Sequence, residues 1–126
     1  MKNSEKLNWA VLILVLCMGI LIFESQTKIL RKMYDETILD NRDHYLSCEE
    51  LPIEAEVRQV MEAHQDVIAR IEQINPGFVG VEMDTSICPG KADIVFWYGT
   101  HDDRLLIEAI IAGDTFYGIP YRLVNQ

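Results

Sequence analysis

Residues 52–84 read PIEAEVRQVMEAHQDVIARIEQINPGFVGVEMD, and within them the apolar spacing changes from helical to extended. Ile53, Val57, Val60, His64, Val67, Ile71 and Ile74 stand four and three residues apart, while Glu54, Glu56, Arg58, Glu62, Asp66 and Arg70 take the other side. Residues three and four apart share a face of an α-helix, so the spacing predicts one amphipathic helix of about 22 residues. Pro52 suits its first turn, and Asn75-Pro76-Gly77 stops it. Beyond the stop the period falls to two, with Val79, Val81 and Met83 against Glu82 and Asp84, as in a strand with one buried face. The helical seam would also suit pairing with a second chain, but packing on the chain's own sheet is the commoner use.

Downstream, Cys88-Pro89-Gly90 marks a turn, and residues 92–99 alternate again: Ile94, Phe96 and Tyr98 face one way, Asp93, Val95 and Trp97 the other. Residues 100–112 carry signals of a helix at both ends, Thr100 with Asp103 three residues on and Gly113 after the last apolar position. The rival reading is a strand reached through a hairpin at 99–103. A last strand spans 116–124, with Pro120 suggesting an edge position because it lacks a donor. Upstream of Pro52, residues 45–48 suit a short first strand. The resulting order, βαββαβ, predicts an α+β domain of the ferredoxin-like kind over residues 45–126, an antiparallel sheet with both helices on one face.

The N-terminal third has a different character. Between Lys6 and Glu24, residues 7–23 carry no charge, and from Trp9 to Phe23 they are apolar apart from Gly19. Seventeen helical residues reach about 25 Å, the short end of a membrane span. Trp9 and Lys6 suit the interface at its start. No pair of small residues follows the apolar stretch at the spacing a signal-peptidase site needs, and Leu16 before Cys17 argues against a lipoprotein signal. The expected organisation is a short cytoplasmic tail (1–6), a single-pass transmembrane signal-anchor (7–23) in contact with lipid, a helical stalk (24–44) and the α+β domain (45–126). Basic residues flank the span on both sides, Lys2 and Lys6 before it and Lys28, Arg31 and Lys32 after it, so the charge rule is nearly neutral on orientation. The short basic tail and the cysteines favour a C-terminal domain outside the cytoplasm, at the inner or plasma membrane.

Cys17 lies in the apolar stretch, where a thiol behaves as a small apolar side chain. Cys48 and Cys88 remain, and one pair in an extracytoplasmic domain reads as a disulfide. The predicted topology agrees: Cys48 would end the first strand at the same sheet edge as the hairpin holding Cys88.

From Met33 onward there are 6 Lys/Arg and 18 Asp/Glu, a balance of 6 − 18 = −12. Such a field repels phosphate backbones, which excludes nucleic acid as the expected partner. Two polar clusters, His101-Asp102-Asp103 and Asp40 with Asp43 and His44, read as solvated surface; neither has the ligand spacing of a metal loop. Asp93 and Glu108 faintly resemble the carboxylates of a restriction-type nuclease site, but Ile110 stands where the lysine is needed, so a degenerate nuclease-like fold is the weakest alternative. His64 reads as a core histidine on the helical seam. No catalytic, cofactor-binding or metal-binding constellation is predicted, and a non-enzymatic role follows as the expectation. The predicted interface is the sheet face without helices, showing Phe78, Val95, Trp97, Phe116 and Val124 rimmed by Glu82, Asp84, Asp93 and Arg122. Aromatics within a polar rim resemble interface composition. The function expected is protein–protein assembly in the cell envelope, with another envelope protein or as a homo-oligomer. A ligand- or cation-binding sensor built on the acidic edge near His101 is the alternative.

Overall fold

A computed structural model describes residues 2–126, which form two compact units, 2–34 and 35–126. The first holds α1 (Lys2–Thr27) and the start of α2 (Ile29–Thr37). Within α1, the 20 residues Asn8–Thr27 are long and apolar enough to cross a membrane, and none of that surface is buried.

The continuous helix expected through 24–44 is interrupted at Lys28, whose φ of 52° is left-handed. No glycine or proline causes this. The hydroxyls of Ser25 and Thr27 donate to the carbonyls of Ile22 and Phe23, which loosens the last turn of α1. The Glu24 carboxylate then accepts the backbone N–H groups of Leu30 and Arg31, both at 2.8 Å, and so caps α2. Helix α2 ends at Thr37. Residues 40–44, expected in the stalk, belong to the folded unit, where Arg42 exchanges both backbone hydrogen bonds with Leu123.

The second unit contains α3 (Glu54–Ala63), α4 (Gln65–Glu72), β1 (Gly80–Asp84), β2 (Asp93–Tyr98), α5 (His101–Ile111), β3 (Thr115–Phe116) and β4 (Ile119–Asn125). The long helix is thus two helices, broken at His64 (φ −122°, ψ 33°). Helix α5 forms as the end signals imply: the Thr100 hydroxyl accepts the Asp103 N–H at 3.2 Å, and Ala112, one residue ahead of Gly113, takes the left-handed closing conformation.

The sheet corrects the ferredoxin-like expectation. Its order is β1-β2-β4-β3, and it is mixed: β1 runs antiparallel to β2, β2 parallel to β4, and β3 antiparallel to β4. A ferredoxin-like sandwich would insert the first strand between β2 and β4. Here the connection through α5 and the short β3 leads from β2 to its parallel neighbour β4, and residues 45–48 form no strand. Among the described residues, the one extended pairing contributed from upstream of α3 to β4 is the Arg42 bridge on its far side. Pro120 accordingly sits on an interior strand, not an edge. It precedes Tyr121, where pairing with β2 begins, so its missing N–H breaks no bond to β2.

One face of the sheet, Ile94, Phe96 and Tyr98 with Ile119, Tyr121 and Leu123, packs in a single core with Val57 of α3, Val67, Ile68 and Ile71 of α4 and Ile107 of α5. The hydrophobic burial of these side chains is the main favourable term for the domain. Cys48 and Cys88 are disulfide-bonded, Cα to Cα 5.6 Å, across 40 positions of sequence.

Candidate functional site

Helices α3, α4 and α5 all pack on one face of the sheet and leave its second face to the strands and the 40–52 segment. Strand alternation sets it out: Gly80, Glu82 and Asp84 on β1 pair in register with Trp97, Val95 and Asp93 on β2, and Val95 and Trp97 pair with Arg122 and Val124 on β4. The register divides the face into a charged end and an apolar end.

At the charged end, Asp93 is 0% exposed and its carboxylate accepts from Arg122 Nε at 2.5 Å, Arg122 Nη2 at 3.1 Å and His44 Nε2 at 2.9 Å. Arg122 Nη2 also donates to Asp84, which accepts further from the Ser86 N–H and hydroxyl. Burial would raise the Asp93 carboxyl, but the His44 and Arg122 hydrogen bonds and the guanidinium charge outweigh it and hold the group below the usual carboxylate range. Asp84 is lowered in the same way: burial opposes, and the Ser86 and Arg122 bonds prevail. His44 Nδ1 accepts the Leu46 N–H at 3.0 Å, which leaves Nε2 to carry the proton toward Asp93. Both ring nitrogens are therefore committed, and the pair acts as a fastener. It holds the 40–52 segment to this end of the face, and the Cys48–Cys88 bond holds the same segment to the β1–β2 connection.

At the apolar end, Phe78 is 64% exposed at the mouth of β1, placed there by a turn in which the N–H groups of Phe78 and Val79 both donate to the Asn75 carbonyl and Gly77 takes a φ of 85°. Trp97 and Val124 are half-buried neighbours. The Trp97 indole occupies the space beside Gly80, whose lack of a side chain makes the room.

Of the five residues predicted to form the interface, Phe78, Trp97 and Val124 therefore share an accessible end. Val95 is on the expected face but only 6% exposed. Phe116 is misplaced by the sequence reading: it is 1% exposed in the core, tilted against Phe96 with ring centroids 5.7 Å apart. The reason is that 116 belongs to the separate strand β3, turned back on β4 through Tyr117 (φ 51°) and Gly118 (φ 90°), so its alternation does not continue that of β4. Positive φ at both central residues is the type I′ hairpin geometry.

Part of the polar clusters that looked solvated serves as internal fastenings, while His101 and Asp102 are exposed as expected. Asp40, itself at φ 53°, accepts from His101 Nδ1 and Arg104 Nη1, both at 2.8 Å, and its carbonyl accepts the Tyr98 hydroxyl. Asp and Asn tolerate the left-handed region better than most residues, and this was the available sequence signal for a built turn at 40. Burial, then the Asp40 charge, pushes the Tyr98 hydroxyl up to about 12. Asp103 accepts from Asn75 Nδ2 at 3.1 Å. Arg42 reaches Asp114, the Tyr121 hydroxyl and Glu108 on the helix side of the sheet, which places Glu108 on the opposite side from Asp93 and dissolves the nuclease-like pairing. Among the described residues, no group of three or more His, Cys, Asp or Glu side chains is arranged to hold a metal ion.

Comparison with protein families, with curated proteins and with solved structures finds no match to this chain.

Proposed function

We propose that this protein is a single-pass membrane-anchored domain, folded on the extracytoplasmic side, that works without catalysis by assembling with another envelope protein or with a second copy of itself. The observation that carries this reading is α1, a 20-residue apolar surface over Asn8–Thr27 with none of it buried, attached to a domain that holds a disulfide. Apolar surface on that scale supports a nonaqueous surrounding, and a disulfide supports an oxidising compartment. The assembly surface is the apolar end of the helix-free sheet face, Phe78 with Trp97 and Val124. Phe78 supports this because an exposed aromatic next to a fixed indole, with Glu82 beyond it, has the make-up of an interface core and its rim.

Site-directed photo-crosslinking in cells tests the surface. A photoreactive side chain at position 78 is expected to give discrete adducts, and one at Glu62, on the exposed side of α3, none. Adducts from neither position, or equally from both, overturn the interface. Impermeant thiol labelling, with and without reductant, tests the rest. Cys48 and Cys88 should react from the outer side only, and only after reduction; labelling from the cytoplasmic side overturns the orientation.

A further inference from the structure

We propose that α2 is an interfacial helix, its apolar face seated at the headgroup–acyl boundary of the bilayer and the basic residues at its start against anionic lipid headgroups. This deepens, and rests on, the reading of α1 as a membrane anchor. At 100° per residue, Ile29, Met33, Thr37, Leu30 and Tyr34 occupy an arc of about 140°, and Arg31, Asp35, Lys32 and Glu36 fill the remainder without intrusion. None of the nine residues Ile29–Thr37 is buried. A helix so cleanly divided, with its apolar half uncovered, is the composition of a helix lying in an interface plane.

The break at Lys28 makes such a position available. A continuous helix through 24–44 would carry the chain straight away from the apolar surface of α1. The left-handed Lys28 ends α1, and the Glu24 carboxylate caps a separate helix that starts at the next residue, Ile29. The apolar start of α2 then borders one concavity with the flank of α1, where Ile29 and Leu30 line it together with Leu16, Gly19, Ile20 and Phe23. Surfaces that line one concavity meet the same solvent, and for α1 that solvent is lipid.

The order of charges points to the headgroups. Lys28 immediately precedes α2, Arg31 and Lys32 lie in its first turn, and Asp35 and Glu36 lie toward its end. The helix macrodipole favours the reverse arrangement, acids first and bases last. Along the chain, positive charge therefore stands nearest the apolar helix and negative charge farthest from it. Anionic headgroups attract the basic start and repel the acidic end, so the start of α2 is the part drawn closest to them.

Spin labelling of the full chain in vesicles is the test. Single cysteines replace Leu12, Ile29, Lys32 and Met33 (Leu12→Cys, Ile29→Cys, Lys32→Cys, Met33→Cys) in a Cys17→Ser background, labelled without reductant so that the Cys48–Cys88 bond survives. Collisions with oxygen and with a water-soluble nickel chelate then report depth. With phosphatidylglycerol in the bilayer, labels at 29 and 33 should lie about 5–10 Å below the headgroups, label 32 in water and label 12 near the midplane. In phosphatidylcholine alone, labels 29 and 33 should move outward. If label 12 is deep but 29 and 33 are as accessible as 32, or if their depth ignores lipid charge, the interfacial role of α2 is overturned while the anchor stands. If label 12 is in water, the anchor itself is overturned and this inference with it.

Discussion

Gly80 and Trp97 are register partners across β1 and β2, and the six-membered ring of the Trp97 indole occupies the place where a side chain at 80 would begin. A glycine in a strand costs backbone entropy and offers nothing to pack. Here the neighbouring indole covers it and is itself fixed against the backbone. A fixed aromatic loses little freedom on contact with a partner, which is why this pair matters to the proposed assembly surface. Gly80→Ala sets two effects against each other: a gain of about 0.4–1 kcal/mol from a stiffer unfolded chain and an overpacking penalty of about 1–3 kcal/mol. The obstacle is a rigid ring, so the penalty should win, and denaturant unfolding should show a loss of about 1–2 kcal/mol. In a Trp97→Val background the same change should be neutral or stabilising. A loss that persists there would mean that the indole is not what fills the space.

Acid should unfasten the charged end of the same face. The Asp93 and Asp84 carboxyls titrate below their ordinary value of 3.8 in the folded chain. The unfolded state then binds more protons than the folded one as the pH falls, so the stability these groups give is present above 3.8 and is lost as pH drops through their folded values. Thermal unfolding should therefore show a drop in Tm setting in below about pH 4 that comes from this cluster. Asp93→Asn leaves Arg122 poorly paired beside a fully buried position. It should cost about 3 kcal/mol at neutral pH and lose much of the acid dependence, so that the two proteins converge at low pH. Parallel curves for the two would show that Asp93 carries no linked proton.

Much of this architecture is legible in the sequence. Period two along 79–84 and 93–98 marks β1 and β2, and the Thr100–Asp103 spacing marks the start of α5, because those signals depend on residues near one another in the chain. What escaped the sequence was set by distant partners. His64 breaks a helix that its own spacing would continue. Phe116 leaves the expected face because the chain reverses at Tyr117 and Gly118. The parallel pairing of β2 with β4 is a choice among topologies that share one order of elements. The cysteine pair was right although its supporting topology was not: Cys48 lies in a turn rather than at a strand end, and the bond follows from the 40–52 segment crossing to the β1–β2 connection. At the candidate site, Phe78, Trp97 and Val124 were readable from alternation. The His44–Asp93–Arg122 cluster was not, since its members are 49 and 29 residues apart.

The disulfide closes 40 residues and ties the segment ahead of α3 to the β1–β2 connection. In the chain-entropy account a loop of that length stabilises by about 4 kcal/mol, a large share of what a domain this small possesses. Cys48→Ser with Cys88→Ser should lower stability by about 2–4 kcal/mol. The loss should be greatest where the bond acts, so amide exchange of residues 44–50 should accelerate far more than that of β2 and β4. Uniform acceleration throughout the domain would show instead that the bond supports the whole fold equally.

The His64 and Tyr117 rings stack with centroids 3.4 Å apart and planes 6° from parallel, and the pair joins two local irregularities that neither residue would choose alone. His64 interrupts the helix at φ −122°, and Tyr117 holds a left-handed φ of 51° in the β3–β4 turn, an uncommon state for an aromatic residue. Phe116 meets both rings edge-on, at 6.2 Å from His64 and 5.0 Å from Tyr117, so the stack also closes one end of the core. If the stack holds the two irregularities together, His64→Ala and Tyr117→Ala should not be additive. A double-mutant cycle should return a coupling of about 0.5–1.5 kcal/mol, the range of an aromatic pair beyond simple burial. A Tyr117→Asn variant separates the stack from the turn, because Asn suits the left-handed position but cannot replace the ring. It should preserve the β3–β4 hairpin and abolish the coupling to position 64. Coupling that survives in that variant would assign the helix break to the backbone of His64 rather than to its ring.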